Sequence, residues 1–118
     1  MQVTFQLFLN LAHQLIDGLT TLHQHHILHR DIKAENVLVF VNGGEILLKY
    51  CDFGASKLSQ NAYSQTLVGT IYYLSPQIVS GQPYSAKTDI WSLGVLLYRL
   101  FCLKDPFSGG LMEIIKKI

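Results

Sequence analysis

His29-Arg30-Asp31-Ile32-Lys33-Ala34-Glu35-Asn36, with Asp52-Phe53-Gly54 downstream, is the stretch on which the reading of this chain turns. The first run sets a carboxylate, a lysine and an amide at fixed offsets. The second sets another carboxylate ahead of a glycine, which lets the backbone turn freely. Phosphoryl transfer asks for these groups: a carboxylate to orient a hydroxyl, a cation beside the moving phosphate, and oxygen ligands for magnesium.

The flanking sequence says how such residues could meet. Upstream, Phe8, Leu11, Ala12, Leu15, Leu19 and Leu22 recur at three- and four-residue steps, which predicts a helix over 3–25 with Gly18 as a weak point. The polar run then interrupts that period, as a loop would. Val37 to Val41 is apolar and rich in β-branched residues and reads as a strand. Asn42-Gly43-Gly44 reads as a tight turn, and Glu45 to Tyr50 as the returning strand. This hairpin would carry one motif at each end and bring both to one magnesium site. Residues 55–84 are polar and read as a long loop, a type of segment that is often functional. Ile90 to Leu103 is apolar almost all round and reads as a buried helix that Lys104-Asp105-Pro106 ends. Leu111 to Ile118 opens another amphipathic helix.

Composition narrows the class. The chain has 118 residues, of which 49% are apolar, enough for a core. A formal net charge of +1 gives no case for a nucleic-acid or anionic-membrane partner. Cys51 and Cys102 have no partner at zinc spacing, as expected of a reduced intracellular protein. Residues 1–16 lack a basic start and a cleavage site, and the apolar run 91–103 is short and contains Arg99, so neither a secretory signal nor a membrane span is expected. The expected location is the cytoplasm or the nucleus. His23, His25, His26 and His29 could suit zinc, but no cysteine or carboxylate accompanies them at ligand spacing. A helix end running into the polar loop explains them better.

The pattern H-R-D-x-K-x-x-N followed by D-F-G resembles the catalytic and metal loops of eukaryotic protein kinases. Lysine two positions after Asp31 is similar to the serine/threonine form. The resemblance implies a mainly α fold with a short β-hairpin, residues 1–118 being part of the large, C-terminal lobe with the small lobe absent. It implies ATP and magnesium, or manganese, as cofactors and a protein substrate with a serine or threonine hydroxyl. Asp31 would orient or deprotonate that hydroxyl, and Lys33 would steady the transferring phosphate. Asn36 and Asp52 would ligate the metal. Glu35 would lie on the nucleotide side with Lys33, Asn36 and Asp52, and Leu38 would pack beneath the adenine. His29, Phe53 and Gly54 would be structural. Arg30 would pair with a phosphate placed on Thr66 or Ser64 by an upstream kinase. Thr70, in Gly69-Thr70-Ile71-Tyr72-Tyr73-Leu74-Ser75-Pro76, would hydrogen-bond Asp31 and Lys33 near the docked substrate. Asp89, in Asp89-Ile90-Trp91-Ser92-Leu93-Gly94, would accept hydrogen bonds from the catalytic-loop backbone. The runs 72–76 and 87–94 resemble the NIMA-related kinases.

Two departures qualify the resemblance. Gln77 stands where the family has a glutamate, which weakens the expected anchoring of the activation segment. The chain also contains no Gly-x-Gly-x-x-Gly loop and no Val-Ala-Ile-Lys strand. A fragment inactive alone is therefore expected, because phosphoryl transfer rests on positioning and charge stabilisation. The alternative is a catalytically dead kinase remnant that serves as a protein-binding module.

Overall fold

The computed structural model describes residues 3–52 and 71–118. It is mainly helical with one two-stranded antiparallel hairpin, as the sequence predicts. Helix α1 spans Phe5–Gln24 and starts at Thr4, whose hydroxyl accepts the Leu7 N–H at 3.2 Å. Its buried face is Leu11, Ala12, Leu15 and Leu19, four positions of the predicted stripe. A single 3-10 turn, Ala34–Asn36, leads into β1, Val37–Asn42. The hairpin closes through Gly43 and Gly44, at φ +56° and +83°, a left-handed pair that few other residues adopt. Strand β2 is Glu45–Tyr50, paired from Val37 opposite Tyr50 to Asn42 opposite Glu45.

Strand β2 alternates exposed and half-buried residues, and Ile46, Leu48 and Tyr50 turn toward α1. Gln14 of α1 finishes the edge of this strand. Its carbonyl accepts the Leu48 N–H at 2.8 Å, and its amide donates to the Ile46 carbonyl at 2.9 Å. The Tyr50 hydroxyl donates to the Leu15 carbonyl at 2.8 Å, and the Tyr50 ring lies over Gly18. A Cβ at position 18 would sit 3.1 Å from that ring. Gly18 is thus the seat of an aromatic ring as well as a weak point in a helix.

The predicted loop over 55–84 is corrected where it is described. It contains a 3-10 turn, Ile71–Tyr73, and a one-turn helix α2, Pro76–Val79. Ser75 caps α2 by accepting the Ile78 N–H at 3.2 Å, and Pro76 takes the first turn, where a missing N–H costs nothing.

The apolar helix is also corrected. Helix α3 is Ala86–Cys102, so it begins earlier than Ile90. Ser85 and Thr88 form its start: the Thr88 hydroxyl accepts the Ser85 N–H at 3.2 Å. It is buried on one side only, at Thr88, Asp89, Ser92, Leu93, Val95 and Leu96, while Ile90, Tyr98 and Phe101 are exposed. An all-round apolar helix needs neighbours on every side, and among the described residues α1, the 29–36 loop and Tyr73 cover one side. Helix α3 stops at Leu103, which turns left-handed at φ +56°, before the proline is reached. Helix α4, Leu111–Lys117, follows. The core joins Leu15 and Leu19 of α1, Ile32, Tyr73, and Leu93, Val95 and Leu96 of α3. No helix among the described residues is long and apolar enough to cross a membrane.

Candidate active site

The 29–36 loop alternates buried and accessible side chains. His29, Ile32 and Asn36 are buried, whereas Asp31 and Lys33 are partly exposed. The buried residues hold the loop down and lift the charged ones into reach. The His29 ring donates through Nε2 to the Cys51 carbonyl at 3.0 Å and accepts the Asp31 N–H on Nδ1 at 3.1 Å. One imidazole therefore ties the residue ahead of Asp52 to Asp31. The bond accepted on Nδ1 requires the neutral ring, and burial is the main cause that pushes its pKa below the ordinary histidine value.

Asn36 closes the loop. Its amide Nδ2 donates to the Asp31 carbonyl at 2.8 Å and to Asp31 Oδ2 at 2.9 Å. Its own carbonyl accepts the Cys51 N–H at 2.9 Å, so both ends of the hairpin are clasped next to Asp52. The Asn36 NH2 group is spent on Asp31, which leaves Oδ1 as the atom with which this side chain can meet a cation. Lys33 Nζ lies 3.6 Å from Asp31 Oδ1. Asp52 is exposed at the mouth of the hairpin with φ +60°, and Arg30 has φ +71°, both left-handed positions without glycine. Such backbone costs about 1–3 kcal/mol per residue and persists where the surroundings impose it. Burial and the neighbouring Asp52 charge push the Cys51 thiol up, away from the reactive thiolate.

Asp89 imposes the geometry at Arg30. This carboxylate is fully buried at the start of α3. Oδ2 accepts the His29 N–H at 2.9 Å and Oδ1 accepts the Arg30 N–H at 3.0 Å. Tyr84 donates its hydroxyl to Oδ1 at 2.7 Å, and His23 Nε2 lies 2.8 Å from Oδ2. A buried carboxylate is tolerable when so many donors replace water. Burial, then the Asp89 charge, raises the Tyr84 pKa far above the ordinary phenol range, so its hydroxyl stays a donor. Arg30 reaches over the Tyr84 ring, 5.9 Å from its centre.

His29, Asp31, Lys33 and Asn36 thus come together, with Asp52 beside them and Asp89 beneath. Glu35 is exposed on the turn, and Leu38 is half exposed on the outer face of the hairpin with Phe40 and Leu47. Phe53, Gly54, Ser64, Thr66 and Thr70 lie outside the described residues. Sequence reasoning passed over His23, Tyr84 and Tyr73 as parts of this network. His23 carried a signal only as one of a histidine cluster, and two tyrosines in a polar stretch carried none.

The donors fit a hard divalent cation, since Asn36 Oδ1 and the Asp52 carboxylate are oxygen ligands. The protein kinase domain family matches residues 2–117. The human serine/threonine-protein kinase Nek5 is 46% identical over 108 residues, which is 89% of this chain and 15% of that protein. The Caenorhabditis elegans serine/threonine-protein kinase nekl-2 is 43% identical over 107 residues, 89% of this chain and 29% of that protein. The MAP kinase kinase MKK1/SSP32 of Saccharomyces cerevisiae is 39% identical over 102 residues, 86% of this chain and 20% of that protein. The chain therefore spans less than a third of the length of these relatives, and two of the three are Nek-type kinases, in keeping with the NIMA-related stretches. With Asp31, Lys33 and Asn36 held together on one loop and residues 2–117 matched by that family, this chain belongs to the protein kinase domain family.

Proposed function

We propose that the protein is a serine/threonine protein kinase and that residues 1–118 carry the large-lobe part of its site. The observation that supports this best is the Asn36 clasp. Its NH2 group fixes the Asp31 carboxylate, its Oδ1 is left to face a metal, and its backbone carbonyl accepts the N–H of Cys51, the residue ahead of Asp52. Magnesium-bound ATP, or the manganese form, supplies the phosphoryl group to be transferred. Asp31 orients the incoming serine or threonine hydroxyl and accepts its proton. Lys33, already turned toward Asp31, sets a positive charge where the transferring phosphoryl oxygens gather. Asn36 and Asp52 hold the metal, Leu38 meets the adenine and Glu35 flanks the nucleotide. Arg30 receives the phosphate of a modified Thr66 or Ser64, which orders the activation segment around Thr70. The work is done in the cytoplasm or nucleus.

The test is radiolabel transfer from ATP to serine, threonine and tyrosine peptide libraries by the whole protein. Incorporation into serine and threonine is expected, with kcat reduced about a hundredfold or more in Asp31→Asn. Wild-type rates in Asp31→Asn would overturn the reading.

A further inference from the structure

The turn Ala34–Asn36 starts from Lys33, whose side chain makes no cap. The first N–H groups of a helical turn have no partner within it. The Ala34 N–H is nonetheless satisfied: it donates to the Tyr73 hydroxyl at 3.2 Å, from a residue 39 positions away. Tyr73 is buried. Helix α3 grips it at two points. The Ser92 hydroxyl donates to the Tyr73 carbonyl at 3.3 Å, and Arg99 Nη1 donates to the Tyr73 hydroxyl at 3.1 Å. Asp89, Ser92 and Arg99 recur at steps of three and seven, so one face of α3 carries all three. Asp105 holds Arg99 from the far side, its Oδ1 lying 3.4 Å from Nε. The guanidinium is bound all the more firmly to its proton, first because of the Tyr73 bond.

We propose that Tyr73 and Arg99 are positioning residues for phosphoryl transfer: Arg99 fixes the Tyr73 hydroxyl, which pins the Ala34 N–H and so sets Lys33 and Asn36 against Asp31. Neither residue touches the reacting groups. Lys33 immediately precedes the pinned amide, and Asn36 ends the turn that the amide starts. Asp89 fixes the beginning of the loop at His29 and Arg30. The Arg99–Tyr73 pair fixes its end, and α3 is the common reference for both. Displacements of about 1 Å in such a site cost up to about a hundredfold in rate.

The inference rests on the kinase reading, and the experiment separates the two. The whole protein is assayed for peptide phosphorylation as wild type, Tyr73→Phe, Arg99→Met, Arg99→Lys and the double Tyr73→Phe/Arg99→Met. Tyr73→Phe keeps the buried ring and removes the acceptor. Its kcat is expected to fall about tenfold, with KM for ATP within about twofold of wild type. Arg99→Met should match it, and Arg99→Lys, which keeps a cationic donor, should recover most of the rate. The double variant should be no slower than the slower single, since the two act as one unit. Amide hydrogen exchange at Ala34 should quicken in Tyr73→Phe and Arg99→Met alike. Unchanged kcat in Tyr73→Phe, multiplied losses in the double, or losses that follow the melting temperature alone would each overturn the relay. A wild-type protein silent on every serine and threonine substrate overturns the kinase reading itself; an active wild type beside an equally active Tyr73→Phe overturns only the relay.

Discussion

The 29–36 loop and the β1–β2 hairpin are held in place by opposite means. The loop hangs on a buried charge, with four groups pointing at the Asp89 carboxylate. The hairpin hangs on neutral groups. Gln14 completes the edge of β2, Tyr50 reaches the Leu15 carbonyl, and one face rests on α1 while Leu38, Phe40 and Leu47 stay open. A buried carboxylate with several donors specifies one arrangement and fails badly when a member is lost. An amide on a strand edge adds modest stability and fails locally. The difference matches the proposed tasks: the loop would hold the Asp31 carboxylate in one fixed place, whereas the hairpin would have only to bring Asp52 back beside Asn36, whose carbonyl accepts the Cys51 N–H.

The comparison breaks most visibly at Asp89. Asp89→Ala leaves the His29 and Arg30 amides and the Tyr84 hydroxyl buried without their acceptor. Stability should drop by about 3–5 kcal/mol, read by urea unfolding of the whole protein, and activity should vanish with it. A loss below about 1 kcal/mol would mean that the loop does not hang on this charge. Gln14→Ala sharpens the other side. It should cost about 1–2 kcal/mol and quicken amide exchange at Leu48 while His29 and Arg30 stay protected. Equal quickening in both regions would show that they open as one unit.

The smallest effect is one of pH. The His29 pKa is depressed in the folded protein, chiefly by burial, so the unfolded chain binds the extra proton first as pH falls below about 6.5. Stability should therefore be fully present above that value. It should fall between it and the lower folded pKa, by at most about 1.4 kcal/mol per pH unit. The His29 ring signals in NMR locate the folded titration, and a midpoint at or above 6.5 would contradict the assignment.

Much of this was legible along the chain. The stripe from Leu11 to Leu19 and the Asn42-Gly43-Gly44 turn are local patterns, and each produced its element. The motif residues were legible as a resemblance, and Asn36 and Asp31 do meet. Two capped helix starts were available and overlooked: Ser75-Pro76, hidden in a polar run, and Ser85 with Thr88, ahead of the apolar residues that drew the eye. The one-sided burial of α3 could not be read locally, because the number of neighbours around a helix is a property of the whole fold. The same holds for Gln14 on β2, Tyr73 on Ala34 and His23 on Asp89. Their partners lie 34, 39 and 66 positions away, and no period or propensity encodes such meetings.

Gly18 shows what this means for the drift of the sequence over generations. By helix propensity alone, alanine there is favoured by about 1 kcal/mol, and a survey of surface helices would nominate that exchange first. The Tyr50 ring stands 3.1 Å from where the new methyl would go, and its hydroxyl is moored to Leu15, so it has little room to retreat. Positions 18 and 50 therefore constrain each other's history. Alanine at one requires the ring at the other to give by a few tenths of an ångström, and a lineage that replaces Tyr50 first is freed of that demand.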